Sequence, residues 1–126
     1  MSRHIIQTAT APGSPLFSQG VQAGHTLYVS GMTGADPDTK LLVGETIQAQ
    51  TRQALSNCEQ VLRAAGASRD DVVDVQVLLA DPADFAAMNE AYAAFFHTAP
   101  PARSVAKLGV DLPGVRVSIR MTAYTG

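Results

Sequence analysis

A single arginine late in the chain, Arg103, has the chemistry of an anion anchor. It follows the rigid pair Pro100-Pro101, whose rings hold φ at about −65°, and it begins a run of strand-forming residues. Its planar guanidinium matches a carboxylate or a phosphate and stays charged at physiological pH. From chemistry alone, a surface arginine that pairs with a nearby acid is the commoner case. The sequence therefore offers Arg103 as a candidate carboxylate anchor and leaves the ion-pair alternative open.

Other positions carry weaker signals. Asn89 falls in a helical stretch, on the flank opposite most of its large apolar side chains. Ser30 and Thr33 lie where a predicted strand ends and backbone groups often lose their partners. Phe17, beside Leu16, can wall an apolar pocket. Taken singly, each of these residues is more often structural than functional.

The composition argues against several classes of function. The formal net charge is −2 and the 9 Lys and Arg residues are scattered, so we expect no nucleic-acid partner. The single cysteine and three dispersed histidines have no metal-ligand spacing, and no glycine motif for a phosphate or dinucleotide is present. We therefore expect neither a metal nor a cofactor. Without a leader-like start or an apolar run of about 20 residues, we also expect a cytoplasmic protein with no membrane partner.

The elements that must position these residues follow from hydrophobic periodicity. The order is β-β-β-α-β-α-β-β, with neither an internal repeat nor a linker, in one domain over residues 1–126. This order predicts an α+β fold in which two helices pack on one face of a mixed sheet. The other face is then uncovered, and neighbouring copies of the chain can bury it. The predicted spans are His4–Thr8, Phe17–Gly24, Thr26–Ser30, Glu45–Ala65, Val72–Leu79, Phe85–Phe96, Arg103–Leu108 and Val115–Tyr124.

Several stretches make the chain similar to the YjgF/Rid family of reactive-intermediate imine deaminases. Their spacing agrees from end to end, so the resemblance covers essentially the whole chain. The matching stretches are Tyr28-Val29-Ser30-Gly31, Gln50 to Asn57, Val61 to Gly66, Met88 to Phe96, Pro101-Ala102-Arg103-Ser104 and Leu112-Pro113.

The resemblance implies a chorismate-mutase-like fold that forms a homotrimer, with a central β-barrel and three pockets between subunits. It implies hydrolysis of 2-imino or 2-enamino acids to 2-oxo acids and ammonia, without a metal or cofactor. Arg103 would bind the substrate carboxylate, Ser30 and Asn89 would line the pocket, and Phe17 would lie at its mouth. Orienting the carboxylate and a water is enough catalysis for an imine, which already hydrolyses in water.

The chain departs from the family pattern at four positions. The family's last strand usually reads Val-Glu-Ile-Glu, whereas this chain has Val117-Ser118-Ile119-Arg120, so Arg120 replaces the acid proposed to position water. Phe17 lacks the hydroxyl of the usual tyrosine, and Val105 stands where cysteine is common.

The change at Arg120 leaves alternatives open. Either Arg120 joins the pocket and binds a second anionic group, or it turns away and pairs with an acid across the trimer. Beside the hydrolase, the chain can therefore be a trimeric sensor or carrier of small carboxylates, or a pathway-specific enzyme on the same scaffold. Ribonuclease activity is attributed to some relatives, but the net negative charge of this chain argues against it as the main role.

Overall fold

A computed structural model describes residues 2–126 and contains the predicted α+β fold. Six strands form one sheet in the order β1-β2-β3-β6-β4-β5, in which only β4 and β5 run parallel. The predicted element order is therefore confirmed. The elements are β1 (His4–Ile6), β2 (Gly20–Ala23), β3 (Thr26–Met32), α1 (Ile47–Ala64), β4 (Val72–Leu79), α2 (Phe85–Phe95), β5 (Ala102–Lys107) and β6 (Val117–Tyr124).

The long helix α1 begins and ends close to its predicted limits. The Thr46 side chain accepts a hydrogen bond from the Ala49 amide at 3.1 Å, which caps the first turn. Gly66 follows the last turn with φ of +79°, a conformation that costs glycine little. Apolar residues recur at three- and four-residue spacing along α1, and this apolar stripe, which includes Leu55, Cys58 and Leu62, is buried.

One face of the sheet packs against the helices and the other is open in the single chain. Every second residue of β6, from Val117 to Ala123, is fully buried, while Arg120 and Tyr124 on the other face are exposed. The nearly continuous apolar run from Val72 to Leu79 predicts a strand buried on both faces, and for one chain this prediction is wrong. Both helices cover the same face, so Leu78 remains half-buried and Val73 is 49% exposed.

The strand limits differ most around β2 and β3. The predicted strand Phe17–Gly24 starts only at Gly20, because the residues before it are held in a loop by a buried glutamine. The Gln19 side-chain oxygen accepts a hydrogen bond from the Thr8 backbone amide at 2.7 Å. Its side-chain nitrogen donates to three backbone carbonyls of residues 8–12. Conversely, β3 continues to Met32 through a bulge after Val29.

A second buried glutamine ties together the helix starts and the loop before β6. Gln50 is 1% exposed, and its amide donates to the carbonyls of Gly44 at 2.9 Å and Gly114 at 3.0 Å. Its oxygen accepts from the Arg116 amide at 2.8 Å. The Arg116 guanidinium pairs with the Asp84 carboxylate, just ahead of α2, through two contacts of 3.2 Å. This network fixes where α2 starts relative to β6.

Candidate active site

Arg103 lies on the edge strand β5 and faces the helices. The parallel register aligns Arg103 with Val75 and Val105 with Val77, and both of these valines are fully buried on the helix-covered face. Because side chains alternate along a strand, Arg103 and Val105 point to that same side, toward α2. The double proline sets this position, since β5 begins directly after Pro101.

Two side chains of α2 hold the Arg103 guanidinium. Its Nη1 donates to the Asn89 Oδ1 at 2.7 Å, and its central carbon lies 4.7 Å from the centre of the Tyr92 ring. Asn89 and Tyr92 are three residues apart and therefore adjacent on the helix surface. The predicted candidates Arg103 and Asn89 are thus in direct contact, although 14 residues separate them in sequence.

The outer edge of the guanidinium, formed by Nε and Nη2, has unpaired hydrogen-bond donors. Across residues 2–126, neither Nε nor Nη2 of Arg103 has a hydrogen-bond partner, and no carboxylate oxygen lies within 4.0 Å. The ion-pair alternative therefore has no support within one chain. The Nε and Nη2 donors form the fork that binds a carboxylate through two parallel hydrogen bonds.

Tyr92 was missed as a site residue because the sequence shows it only as part of an apolar helix face. Its side chain is buried, and its hydroxyl has no hydrogen-bond partner in the described part of the chain. Burial raises the pKa of this hydroxyl; the Arg103 charge opposes that rise and the Asp74 charge adds to it. The neutral ring is a fixed platform under the guanidinium. Its spacing of three from Asn89 is the signal that could have indicated the contact.

A second group of predicted site residues gathers around the bulge of β3. Ser30 and Gly31 together oppose Arg120, because Val29 aligns with Met121 and Met32 with Ile119. The Ser30 hydroxyl donates to the Ser18 carbonyl at 2.5 Å, and its amide donates to the Gln19 carbonyl at 2.9 Å. These bonds bring the loop of Phe17, which is 44% exposed, against the bulge. Bulges re-aim side chains and release backbone groups, which suits a binding site.

The two weakest candidates do not join either group as side chains. Leu16 is 91% exposed, and Thr33 contributes its carbonyl as an acceptor for the Asn57 amide at 3.0 Å.

The two groups do not meet within one chain. Arg103 faces the helices, whereas Arg120 lies on the open face, where it aligns with Gln76. Strand β4 separates β5 from β6, so the two arginines sit two strand spacings apart, roughly 10 Å, on opposite sides of the sheet. The Arg120 side chain is exposed, and its guanidinium has neither a hydrogen bond nor an ion pair with any residue from 2 to 126.

Comparison with known proteins identifies the family to which this chain belongs. The family model described as "Endoribonuclease L-PSP" matches residues 8–125. The chain belongs to this family, the YjgF/Rid family. The resemblance seen in the sequence is thereby confirmed.

Three relatives match this chain over nearly their full length. It is 38% identical to the mouse protein named 2-iminobutanoate/2-iminopropanoate deaminase, over 98% of this chain and 93% of that one. RidA from the Antarctic bacterium Psychrobacter sp. superposes with a TM-score of 0.91 at 37% identity, over 97% of this chain and 99% of that one. TdcF from E. coli, solved with bound serine, gives a TM-score of 0.91 at 31% identity, over 98% and 99%.

Other reactive side chains of this Rid-family chain show no assembled site. In the described residues, no three His, Cys, Asp or Glu side chains cluster in a way that could hold a metal. Cys58 is fully buried, its thiol donates to the Ile119 carbonyl at 3.4 Å, and burial raises its pKa far above the ordinary value. Cys58 is therefore a packed thiol of the core, without the exposure and the cationic neighbour that a reactive thiol needs. Neither described helix is long and apolar enough to cross a membrane.

Proposed function

We propose that this chain hydrolyses 2-imino and 2-enamino acids to 2-oxo acids and ammonia, with Arg103 as the carboxylate anchor. The observation that carries the proposal is the fixed guanidinium, held by Asn89 and Tyr92 with an unpaired outer edge. Anchoring a carboxylate by two charge-assisted hydrogen bonds orients the adjacent C=N bond for attack.

The chemistry needs little beyond orientation. Water adds to C2 of the imine, the resulting carbinolamine expels ammonia, and C2 becomes the carbonyl of a 2-oxo acid. An enamine first takes a proton at C3 and becomes the imine. Ser30 and Asn89 are proposed to line the reacting centre, and Phe17 and Val105 to line the pocket. Fixed dipoles and charges at such a site stabilise the polarised transition state without reorganising.

The relatives support this reaction class. The mouse relative is named for the deamination of 2-iminobutanoate and 2-iminopropanoate, both of which carry the required carboxylate. TdcF was solved with serine, an amino acid that carries the same group. The match over nearly the full length of both chains at 38% identity supports the same reaction class for this chain.

We further propose a homotrimer of the chorismate-mutase-like kind, with the three open sheet faces lining a central barrel. Two observations support it: the separation of the site residues into two groups, and the apolar side chains on the open face. A neighbouring copy can bring its Ser30–Arg120 group beside Arg103, which one chain cannot do. Sedimentation should give about three times the 13.2 kDa of one chain, and a monomer would contradict the proposal. The apolar members of that face include Ile5, Val21, Tyr28, Leu78, Ala102, Ala106 and Tyr124.

One observation, the unpaired Arg120, favours a second candidate function. If its unpaired charge faces a neighbour's pocket, the site gains a second cation where the resemblance implies a carboxylate. Such a site favours a sensor or carrier of small carboxylates, or a pathway-specific enzyme whose substrate has two anionic groups. Without a carboxylate to activate water, turnover of simple imines would be slow.

One assay separates the two candidates. An amino-acid oxidase generates the imine in the presence of semicarbazide, and an imine hydrolase lowers the yield of semicarbazone. The hydrolase proposal expects a protein-dependent loss of semicarbazone, whereas buffer-like yields together with tight binding of a dicarboxylate would favour the sensor. The Arg120→Glu variant restores the acid implied by the resemblance. A rise in its activity over the natural chain would show that Arg120 limits the reaction.

A further inference from the structure

The strands of the open sheet face carry one acid and one base. Asp74 of β4 aligns with Thr122 of β6, two residues from Arg120, so Asp74 and Arg120 lie on the same face. Both side chains are exposed. The strand cations Arg103 and Lys107 belong to the helix-covered face. On the six described strands, the remaining residues of the open face are uncharged at neutral pH.

Asp74 and Arg120 do not pair with each other within one chain. They are diagonal neighbours on adjacent strands, at a separation of roughly 7–8 Å between their Cα atoms. No nitrogen of Arg120 lies within 4.0 Å of a carboxylate oxygen of Asp74, or of any other acid in residues 2–126. Closing this pair would stabilise one chain little, because both charges are hydrated. Both groups are therefore open to a partner on another molecule.

A second copy of the chain fits this face by charge as well as by its apolar side chains. In an interface, a charge that loses its water requires an opposite charge or hydrogen-bonding groups beside it. Each copy brings the same acid and the same base. In the proposed trimer, each copy can therefore give its Asp74 to one neighbour and its Arg120 to the other.

Asp74 lies close to the place where the neighbour's Arg120 is expected. The proposed trimer brings the Ser30–Arg120 group of one copy beside Arg103 of the next. Asp74 aligns with Ala102, the residue before Arg103, and lies one strand spacing of roughly 4.8 Å from the edge strand β5. Two arginines alone would repel each other across this junction. The Asp74 carboxylate offsets that repulsion.

We propose that Asp74 of one copy forms an ion pair with Arg120 of the next copy, and that three such pairs close the trimer. This rests on the proposed homotrimer and requires no turnover. Of the two alternatives for Arg120, it selects the pair with an acid across the trimer and names that acid. Arg120 is then neutralised at the junction and provides no second cation to a substrate.

Charge reversal followed by mixing distinguishes a pair between copies from a pair within one chain. Sedimentation of the full chain over a range of concentrations would compare Asp74→Arg, Arg120→Asp, the double variant and an equimolar mixture of the single variants. Each single reversal puts like charges at every junction, so the midpoint concentration for dissociation should rise about tenfold or more. The double variant should recover nearly the natural midpoint. The matched control Arg52→Asp, at an exposed arginine of α1, should leave the midpoint unchanged.

The mixture is the decisive sample. In a trimer of both variants, two of the three junctions join opposite charges, so the mixture should dissociate at a concentration at least threefold lower than its midpoint for either variant alone requires for assembly. A single variant that is unfolded alone should regain its far-UV circular dichroism on mixing, which gives the same comparison.

Weakened single variants that recover on mixing support the ion pair. Natural assembly of both single variants, or single variants that do not recover on mixing, would overturn it; recovery in the double variant alone places the pair within one chain. A natural chain that sediments as a monomer overturns both the pair and the trimer. The semicarbazide assay on the natural chain tests the reaction separately: absent hydrolysis with recovery on mixing refutes the reaction and leaves the pair standing.

Discussion

Changing Asn89 to aspartate tests whether Arg103 anchors the substrate carboxylate, because the two side chains have nearly the same shape and differ in charge. The variant keeps an oxygen at the position that now lies 2.7 Å from Arg103 Nη1, but it adds a negative charge. A substrate carboxylate on the outer edge of the guanidinium would lie roughly 6.5 Å from that charge. Coulomb repulsion at this distance is about 0.6 kcal/mol at a dielectric constant of about 80 and about 1.3 kcal/mol at about 40.

These energies predict a rise in KM for 2-iminopropanoate of about three- to eightfold in Asn89→Asp, since about 1.4 kcal/mol is tenfold. Asn89→Ala removes the hydrogen bond without adding charge, so we expect a rise of only about two- to threefold. With the semicarbazide assay, the KM of Asn89→Asp should exceed that of the natural chain at low salt. At about 1 M salt, where screening is strong, the two KM values should become nearly equal. An unchanged or lowered KM for Asn89→Asp at low salt would refute the proposed binding edge.

Three further predictions concern the framework of the site. Gln50→Leu should lower the free energy of unfolding in urea by about 2–5 kcal/mol, because the three backbone groups that its amide satisfies lose their partners; Gln48→Leu, at a partly exposed residue whose amide bonds to the Glu90 carboxylate, should change little, and equal losses would contradict this. Gly34→Ala would put a Cβ 2.7 Å from the Gln50 Cα and should destabilise by about 1–3 kcal/mol, whereas Gly109→Ala has open space and should stay within about 0.5 kcal/mol. The amides of Thr39 and Asp38 hold the pKa of Asp36 below its usual 3.8, so its stabilisation is present above that pH and is lost as the pH falls through the lowered value. Asp36→Asn should therefore be less stable than the natural chain near neutral pH, with the difference closing in acid; a constant difference in pH-dependent urea unfolding would contradict it.

The sequence predicts the elements whose signals are local. The stripe of α1 gives the helix, and Thr46 and Gly66 mark its ends because capping depends on neighbouring residues only. The limits of β4 are also as predicted, from Val72 to Leu79. Gly24, with φ of +61°, lies in the hairpin turn between β2 and β3, where a glycine between two strand-forming runs is the local signal.

Features that depend on distant contacts are less predictable. The start of β2 depends on Gln19, whose side chain bonds to backbone groups seven to eleven residues earlier. The direction of Arg103 depends on the parallel pairing of β5 with β4, which sequence periodicity does not reveal. The contact of Tyr92 with Arg103 follows only once α2 is laid along β5.

Arg120 illustrates a different kind of limit. Strand alternation correctly predicts that it shares a face with Ser118, because the side-chain period of two is local. Its opposition to the Ser30–Gly31 bulge, however, depends on the register between β3 and β6. Its separation from Arg103 likewise follows from the strand order, in which β4 lies between their strands.

The most direct test of the central claim is the kcat/KM of Arg103→Ala for 2-iminopropanoate. The natural chain should accelerate hydrolysis above buffer, and Arg103→Ala should lose about 100-fold, because two charge-assisted hydrogen bonds of about 1.5 kcal/mol each are removed. The matched control Arg52→Ala, at an exposed arginine of α1, should stay within about twofold. A natural chain no faster than buffer, or an Arg103→Ala variant with undiminished kcat/KM, would contradict the proposal that Arg103 anchors the substrate of an imine hydrolase.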